Sequence, residues 1–195
     1  CRRYRNSIER FGGAPYLRPS DAALRGWSKR LGPGVTKLRI GLSWKGGVFT
    51  TGQHRRSLDL AALKPLLERE DCEFVSLQYG EVQDEIDAAN AELARPIRSF
   101  PKDEIGDFED LAGLVLSLDA VVSVQTALVH LAGAVGAPCF AMISSFAEWR
   151  YGDQGEVMPW YGGVKLVRQT QAGSWRPVLA RIGEELDRLA GKGSE

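Results

Sequence analysis

From Lys37 onward, short β-rich runs alternate with longer segments of helical periodicity, and this alternation limits the possible folds more than any other feature. The runs are rich in β-branched and aromatic residues: LRIGLSW (38–44), EFVSLQY (73–79), PIRSF (96–100), DAVVSVQ (119–125), PCFAMIS (138–144) and VKLVRQ (164–169). Helix candidates lie between and after them, at 58–69, 81–94, 107–118, 126–136 and 174–190. Alternating strands and helices form parallel sheets covered on both faces. The sequence therefore predicts an α/β fold with a doubly wound, mostly parallel Rossmann-like sheet of about six strands.

Several of these helices have recognisable start signals. Ser57 and Ser174 are good N-caps, because a serine hydroxyl accepts a hydrogen bond from an otherwise unpaired backbone N–H group. Asp107, Glu109 and Asp110 place acidic side chains in the first turn of another helix, where the helix dipole favours negative charge.

Residues 1–34 differ from the rest in composition. This stretch is rich in arginine and is interrupted by glycines and prolines, which end secondary structure rather than extend it. A short helix is predicted at about 21–31, with Ser20 or Asp21 as its cap. We interpret 1–34 as a connector from a missing upstream region and 35–195 as the folded domain.

Overall composition excludes several function classes. With 195 residues and 44% hydrophobic content, the chain can bury one sizeable core. The 25 lysines and arginines balance the 25 aspartates and glutamates, so no net field attracts the chain to nucleic acid or to a membrane surface. We therefore expect no nucleic-acid partner, and any anion site has to be built locally.

The cysteines and the start of the chain suggest where the protein works. Cys1, Cys72 and Cys139 show no CxxC spacing and are accompanied by only two histidines, so neither a disulfide framework nor a metal site is predicted. There is no apolar run of 18 residues and no leader-like start. We expect a cytoplasmic protein without a membrane span. Because the chain begins with Cys, we expect it to be cut from a longer one.

The loop after the first predicted strand, SWKGGVFTTGQHRRS (43–57), suits a phosphate or diphosphate. In open α/β sheets, ligands bind beyond the carboxyl ends of the strands, where this loop lies. Gly46 and Gly47 permit positive φ angles and close backbone approach, while Lys45, Arg55 and Arg56 supply positive charge. The loop matches neither the Walker motif nor the GxGxxG turn. An ordinary solvated loop is the alternative interpretation.

The segment SVQTALVHLAG (123–133) offers a second anion-binding element. If a helix starts at Thr126, the unpaired N–H groups around Ala127 and the helix dipole form an anion seat at the same edge of the sheet. His130, one turn later, would reach back towards this seat, and Gln125 and Thr126 add an amide and a hydroxyl. The alternative is that Thr126 only caps the helix and His130 packs against the sheet.

Other loops at the same edge carry polar and aromatic residues. Gln78 and Tyr79 end the second predicted strand, and Asp107 starts a helix. The loop 144–163 is unusually long for a connection, which is typical of functional segments. Its tryptophans and tyrosines are Trp149, Tyr151, Trp160 and Tyr161. These side chains either stack on a sugar or base, or they fix the loop to this domain or to a missing second domain. Exposure of Trp149 or Trp160 would favour a contact with the missing domain.

Several of these segments resemble motifs of a known protein family. SVQTALVHLAGAVGAP is similar to the DTG-x-x-HLA signature of glycosyltransferase family 9, the heptosyltransferase-like proteins. It also resembles the glycosyltransferase-like C-terminal region of bacterial tetratricopeptide-repeat proteins, together with the segments IGLSWKGG, RRSLDLAALKPLL, FVSLQYG, FEDLAGLVLSLDAVVSVQT and EWRYG…PWY. The resemblance covers roughly residues 35–190.

This resemblance implies the C-terminal, donor-binding half of a GT-B fold and assigns roles to particular residues. Those implied to bind the nucleotide sugar are Ser43, Trp44, Lys45 and Gly46 at the diphosphate, Thr126 and Ala127 at phosphate, His130 near the donor, and Gln78, Tyr79 and Asp107 near the nucleoside. Lys45 and Arg56 would stabilise the leaving diphosphate without a metal. Gln125 stands where the family commonly has Asp, and Ala127 where it has Gly.

Three functional hypotheses follow. The leading one is metal-independent glycosyl transfer from a UDP-, ADP- or GDP-linked sugar to a glycan or protein acceptor. The catalytic base is then supplied by a missing acceptor-binding half of the same polypeptide, next to its repeat domains. A non-catalytic interaction module of a repeat protein is the alternative, motivated by Gln125 and Ala127. A nicotinamide-dependent oxidoreductase is disfavoured, because GxGxxG and an acidic residue at the end of the second strand are absent.

Overall fold

The chain is described by a computed structural model that covers residues 11–33, 36–48, 50, 52–101 and 103–192. Its centre is a sheet of five parallel strands in the order β2-β1-β3-β4-β5. The strands are β1 (Leu38–Ser43), β2 (Cys72–Ser76), β3 (Ala120–Val124), β4 (Cys139–Ile143) and β5 (Val164–Arg168). This confirms the predicted α/β class and its parallel sheet.

The segment 96–100, predicted to be a strand, does not form one. Arg98 forms only an isolated bridge with Val75, although its N–H donates to the Phe74 carbonyl at 2.9 Å. The Ser76 N–H donates in turn to the Arg98 carbonyl at 2.7 Å. Two residues before Arg98, Pro96 has no N–H with which to continue this pairing. The sheet therefore has five strands where about six were predicted.

Seven α-helices and two 3₁₀ turns accompany the strands in the described part of the chain. The helices are α1 (Asp21–Leu31), α2 (Gln53–Arg56), α3 (Lys64–Leu67), α4 (Gln83–Asn90), α5 (Phe108–Leu116), α6 (Ala127–Val135) and α7 (Arg176–Lys192). The 3₁₀ turns span Leu60–Leu63 and Trp149–Tyr151. None of the described helices has both the length and the apolar character that a membrane span requires.

Three of the predicted helix starts are confirmed and two are wrong. Ser20 caps α1 through the Ala23 N–H at 3.3 Å, Asp107 caps α5, and Thr126 caps α6. Ser57 instead follows the last residue of α2. The helix predicted at 58–69 is a 3₁₀ turn followed by the short α3, which has a proline in its first turn. Ser174 is not adjacent to α7, which begins at Arg176.

Helix α1 belongs to the packed structure. Trp27 is buried and contacts the Phe100 ring edge-on, with 5.0 Å between ring centroids. Arg98 donates to the carbonyl of Leu31 at 3.1 Å, so the unpaired carbonyls at the end of α1 are satisfied from the sheet side. The segment interpreted as a connector thus contributes to the core over residues 11–33. That it leads from an upstream region stays a prediction.

The helices divide between the two faces of the sheet. Side chains of α1, α5 and α6 pack on one face with Val121 of β3. Those of α3, α4 and α7 pack on the other face with Val122, the next residue along the same strand. All five residues of β3 are buried, as expected for a strand covered on both sides. Because β1 lies between β2 and β3, the order of strands reverses there, at the gap between the carboxyl ends of β1 and β3.

Gly133 and Gly183 provide a test of this packing. A Cβ on Gly133 of α6 would lie 2.3 Å from Cγ of Tyr161, so Gly133→Ala is expected to lower the free energy of unfolding by about 1–3 kcal/mol. Gly183→Ala in α7 is the matched control. Its Cβ would meet only Arg69 Nη1 at 3.8 Å, so higher helix propensity should raise stability by about 0.5–1 kcal/mol. Urea denaturation measures both; the same sign for both variants would contradict the packing of α6 on Tyr161.

Candidate functional site

A cavity of about 550 Å³ lies at the point where the strand order reverses. We call it the switch-point cavity; the loops after β1 and β2, the starts of α5 and α6, and Gln53 of α2 form its walls. Six of the predicted site residues line it: Ser43, Lys45, Gln78, Tyr79, Thr126 and Ala127. Two of the predicted elements, the loop after β1 and the start of α6, therefore meet in one cavity.

Gly46 explains why these two elements can meet. A Cβ at this position would lie 3.0 Å from the Gln125 carbonyl oxygen and 3.3 Å from Cγ2 of Thr126. Both distances are shorter than ordinary contacts, so only glycine lets the loop after β1 rest directly on the junction of β3 and α6. Gly47 then turns the chain with a φ angle of +79°.

The side-chain amide of Gln78 holds the loop after β1 in place. Its Oε1 accepts hydrogen bonds from Ser43 Oγ at 3.0 Å and from the N–H groups of Trp44 and Lys45, both at 2.8 Å. Its Nε2 donates to the carbonyls of Lys45 at 3.1 Å and Tyr79 at 3.0 Å. The amide therefore forms its hydrogen bonds within the protein, whereas the sequence predicted that it contacts the nucleoside. The indole of Trp44, predicted at the diphosphate, is buried in the core.

Lys45 is ion-paired at the wall of the switch-point cavity. Its Nζ contacts Oε2 of Glu85, which stands on α4. The other carboxylate oxygen accepts the Leu60 N–H at 3.1 Å. Burial alone would raise the pKa of Glu85, but the hydrogen bonds from Lys45 and Leu60 outweigh it and lower that pKa. Glu85 was not predicted from the sequence. Acidic residues are common in the first turn of a helix, so its position gave no sign of a contact with Lys45.

Arg56 lies outside the switch-point cavity. Its side chain is buried and paired with Glu148, which also contacts Arg150. Arg56 and Glu148 line a separate cavity of about 520 Å³, together with His54, Arg55 and Phe146 among others. The Arg55 guanidinium lies over the Phe146 ring, 4.9 Å from its centroid. Of the three cations predicted from one loop, only Lys45 lines the switch-point cavity, while Lys45 and Arg55 share a cleft of about 670 Å³.

The start of α6 has the geometry of an anion seat. Thr126 has extended backbone angles, and its Oγ1 accepts the Leu128 N–H at 3.2 Å. Ala127 is the first residue of the helix, so its N–H has no carbonyl acceptor in the preceding turn. Ala127 is exposed and lines the switch-point cavity. The positive end of the helix dipole therefore faces open space.

Gln125 is buried behind this seat. Its Oε1 accepts hydrogen bonds from the backbone N–H and the Oγ of Ser144, both at 3.0 Å. Its Nε2 is also buried, and among the described residues it finds no hydrogen-bond acceptor. Gln125 therefore links the end of β3 to the loop after β4 and does not line the switch-point cavity.

His130 packs against aromatic residues. Its ring contacts Tyr161 edge-on, with 5.7 Å between centroids, and its Nε2 lies 3.5 Å from the Tyr151 hydroxyl oxygen. Burial, together with the charge of Arg150, lowers the pKa of His130. His130 is not among the residues that line the switch-point cavity. The histidine is thus packed, as in the alternative left open by the sequence, but on tyrosines of the loop 144–163, whereas that alternative placed it against the sheet.

Asp107 borders a groove that continues from the switch-point cavity. The groove has a volume of about 730 Å³ and runs between the end of β2 and the start of α5. Asp107 Oδ1 accepts the N–H groups of Glu109 at 2.8 Å and Asp110 at 3.0 Å, so that oxygen serves as the cap. Two exposed aromatic side chains stand at the groove, Tyr79 at 83% and Phe108 at 70% exposure. The sequence pattern gave no signal for Phe108 beyond its place after a cap.

The long loop 144–163 is fixed mainly by its own aromatic residues. Tyr151 and Tyr161 are buried, and Trp160 Nε1 donates to the Arg150 carbonyl at 3.1 Å. Trp149 is 75% exposed and contacts Trp160 edge-on. Arg168, at the end of β5, donates to backbone carbonyls of this loop: Gly155 at 2.7 Å, Gly152 at 3.2 Å and Gln154 at 3.2 Å. Three of the four predicted aromatics thus hold the loop, and Trp149 faces solvent.

The pKa of His130 predicts how stability depends on pH. Because its pKa is lowered in the folded chain, the unfolded chain binds the proton first as the pH falls through about 6.5. We expect the wild type to lose more stability between pH 7.5 and 5.5 than His130→Gln, as measured by urea denaturation at each pH. His54→Gln, at the exposed second histidine, should keep the wild-type pH dependence. Equal losses in wild type and His130→Gln would contradict the burial of this ring.

The chain is similar in sequence to a curated protein and similar in fold to solved structures. The chain is 32% identical over 175 residues to Protein FlbA of Caulobacter vibrioides. The match covers 88% of this chain and 28% of FlbA, so the chain spans less than a third of that relative's length. No protein-family model matches the chain.

Two solved structures superpose on most of the chain, each with a TM-score of 0.67. E. coli ADP-heptose lps heptosyltransferase II is 17% identical, and the match covers 93% of this chain and 55% of that one. The glycosyl transferase family 9 protein of Veillonella parvula is 10% identical, with 96% and 58% covered. At these identities the likeness concerns the fold, which is the Rossmann-like fold found in glycosyltransferases.

Proposed function

We propose that this domain binds a nucleoside diphosphate sugar and serves as the donor-binding part of a metal-independent glycosyltransferase. The observation that carries the proposal is that Lys45 and the first residue of α6, Ala127, line the same cavity where the strand order reverses. Open α/β sheets bind their ligands at this position. The glycosyltransferase-like fold supports the same class of ligand.

The cavity supplies two of the interactions that a phosphate requires. The unpaired N–H of Ala127 and the helix dipole attract an anion at the start of α6. The Lys45 ammonium at the same cavity can add a charged hydrogen bond. During transfer, the same groups would stabilise the negative charge that develops on the leaving diphosphate, which is an electrostatic role and needs no metal.

The adjoining groove offers room for the nucleoside. Its volume of about 730 Å³ lies within the range of small-molecule sites. Tyr79 and Phe108 are exposed at its wall, and an aromatic ring can stack on a base. The E. coli structure is named for ADP-heptose, so ADP is the first nucleotide to test here, followed by UDP and GDP.

Complete glycosyl transfer is proposed for a longer, cytoplasmic polypeptide. The acceptor and the catalytic base would come from other parts of that polypeptide, among them tetratricopeptide repeats. The lengths of the matched proteins support this, since the chain covers 55% of the E. coli enzyme and 28% of FlbA.

A non-catalytic interaction module is the second candidate, and the ion pairs favour it. Lys45 and Arg56 are each paired with a glutamate, which reduces the positive charge available to a ligand. Val48, Phe146 and Trp149 are exposed at the same edge of the sheet, as at a surface that contacts another domain. This candidate predicts that the full-length protein transfers no sugar from any donor, even if a nucleotide binds.

Ala127→Glu tests the anion seat without weakening the helix. A carboxylate in the first turn is favourable for the helix dipole, yet it would repel a phosphate at the same place. We expect calorimetric titration to show binding of ADP, UDP or GDP to the wild type and a loss of about tenfold or more in Ala127→Glu. Ala127→Gln, of similar shape and no charge, should bind nearly as the wild type does.

A second pair of variants tests the contribution of Lys45. Lys45→Met should weaken nucleotide binding, whereas Lys64→Met should not, because Lys64 forms its ion pairs with Glu68 and Glu92 away from the cavity. Unchanged affinity in both Ala127→Glu and Lys45→Met would place the nucleotide elsewhere and overturn the proposal.

A further inference from the structure

Glu85, the partner of Lys45, has a fixed position next to the switch-point cavity, which Lys45 lines and Glu85 does not. Glu85 Oε1 accepts the Leu60 N–H at 3.1 Å, while Oε2 contacts the Lys45 ammonium. Glu85 stands on α4, next to Ile86, which is buried in the core. The carboxylate is therefore held by its own helix and by a backbone group from a second element, independently of Lys45.

Lys45 has more freedom than Glu85. It lies on the loop between β1 and α2, and its ammonium is carried on a flexible four-carbon stem. The side chain borders the switch-point cavity and also a cleft of about 670 Å³ on the other side of the loop, next to Trp175. The ammonium can therefore turn towards an anion in the cavity while the carboxylate stays in place.

We propose that Glu85 is an internal counter-ion that competes with a bound phosphate for the Lys45 ammonium and thereby sets the affinity of the switch-point cavity. This inference rests on the proposed function, because it requires a phosphate to bind beside Lys45. To contact such a phosphate, the ammonium has to break its ion pair with Glu85. The free energy lost with that pair offsets part of the attraction between ammonium and phosphate, so the site binds phosphate more weakly than it would if Lys45 had no counter-ion.

The effect of Glu85 increases with the charge of the ligand. A nucleoside without phosphate does not compete for Lys45, a monophosphate competes weakly, and a diphosphate competes most. In a glycosyltransferase the nucleoside diphosphate is the product that has to leave after transfer. Weaker binding of this group shortens its residence time, since affinity differences at one site arise mainly in the dissociation rate. Glu85 thus favours release of the product.

Glu85→Gln isolates the charge, because the amide oxygen can still accept the Leu60 N–H. We expect calorimetric titration to show about fivefold or greater tightening of ADP binding, a smaller gain for AMP, and none for adenosine. If another base binds best in the titrations described above, its diphosphate, monophosphate and nucleoside replace these three ligands. Glu92→Gln is the matched control, since it removes a carboxylate paired with Lys64 at 3.6 Å, away from the cavity. It should leave all three affinities unchanged.

A double-variant cycle shows whether the effect acts through Lys45. The gain from Glu85→Gln should be smaller in a Lys45→Met background than in the wild type. An equal gain in both backgrounds would overturn the competition. Unchanged or weaker ADP binding in Glu85→Gln, with a wild type that binds, would also overturn it and leave the donor-binding function standing. If no variant binds any nucleotide, the proposed function fails and the inference fails with it.

Discussion

Parallel pairing of β1 with β2 on one side and β3 on the other is the constraint on which the rest of the structure depends. It brings the carboxyl ends of three strands to one edge, and it sends the connecting helices to opposite faces of the sheet. The cavity, the groove and the start of α6 all lie where these connections diverge. Their position follows from strand order, before any particular side chain is considered.

Strand order alone would leave the loops at this edge free to adopt many paths. Two contacts restrict the loop after β1: Gly46 rests on the junction of β3 and α6, and the Gln78 amide uses its hydrogen-bonding capacity on Ser43, Trp44, Lys45 and Tyr79. The cavity wall is therefore formed before a ligand arrives, which reduces the entropy lost on binding. The ordering has a consequence for recognition, because backbone N–H groups held by Gln78 are not available to a phosphate. In the proposed function, most of the attraction for an anion would therefore come from α6 and Lys45.

Strands and helix caps depend on local sequence pattern and could be predicted well. Side-chain contacts between residues far apart in the sequence were predicted less well. The five strands and the caps Ser20, Asp107 and Thr126 follow from alternation and from side chains close in sequence. The segment 96–100 has the composition of a strand, but only Arg98 bridges to β2, and Pro96 has no N–H with which to lengthen the ladder.

The role of Gln78 depends on a loop more than 30 residues earlier, and that of His130 on tyrosines more than 20 residues later. Glu85 meets Lys45 across 40 residues. No periodicity in a single sequence records such pairings, because they arise only when the sheet brings separate loops to one edge. For this reason the sequence could predict which loops meet at this edge of the sheet, whereas it could not predict the contacts made by their individual side chains.

The way in which Arg168 organises the long loop after β4 has a consequence for how this surface can diversify. The guanidinium binds backbone carbonyls of Gly152, Gln154 and Gly155, so these hydrogen bonds use no side chain of the loop. Gly152 and Gly155 have φ angles of +62° and +79°, so these two positions favour glycine, whereas the rest of the loop is free of this restriction. The path of the loop is thus partly independent of which side chains it displays. Residues such as Trp149 can be exchanged without moving the backbone that presents them, so the outward face of the loop is open to change while the sheet beneath it stays constant.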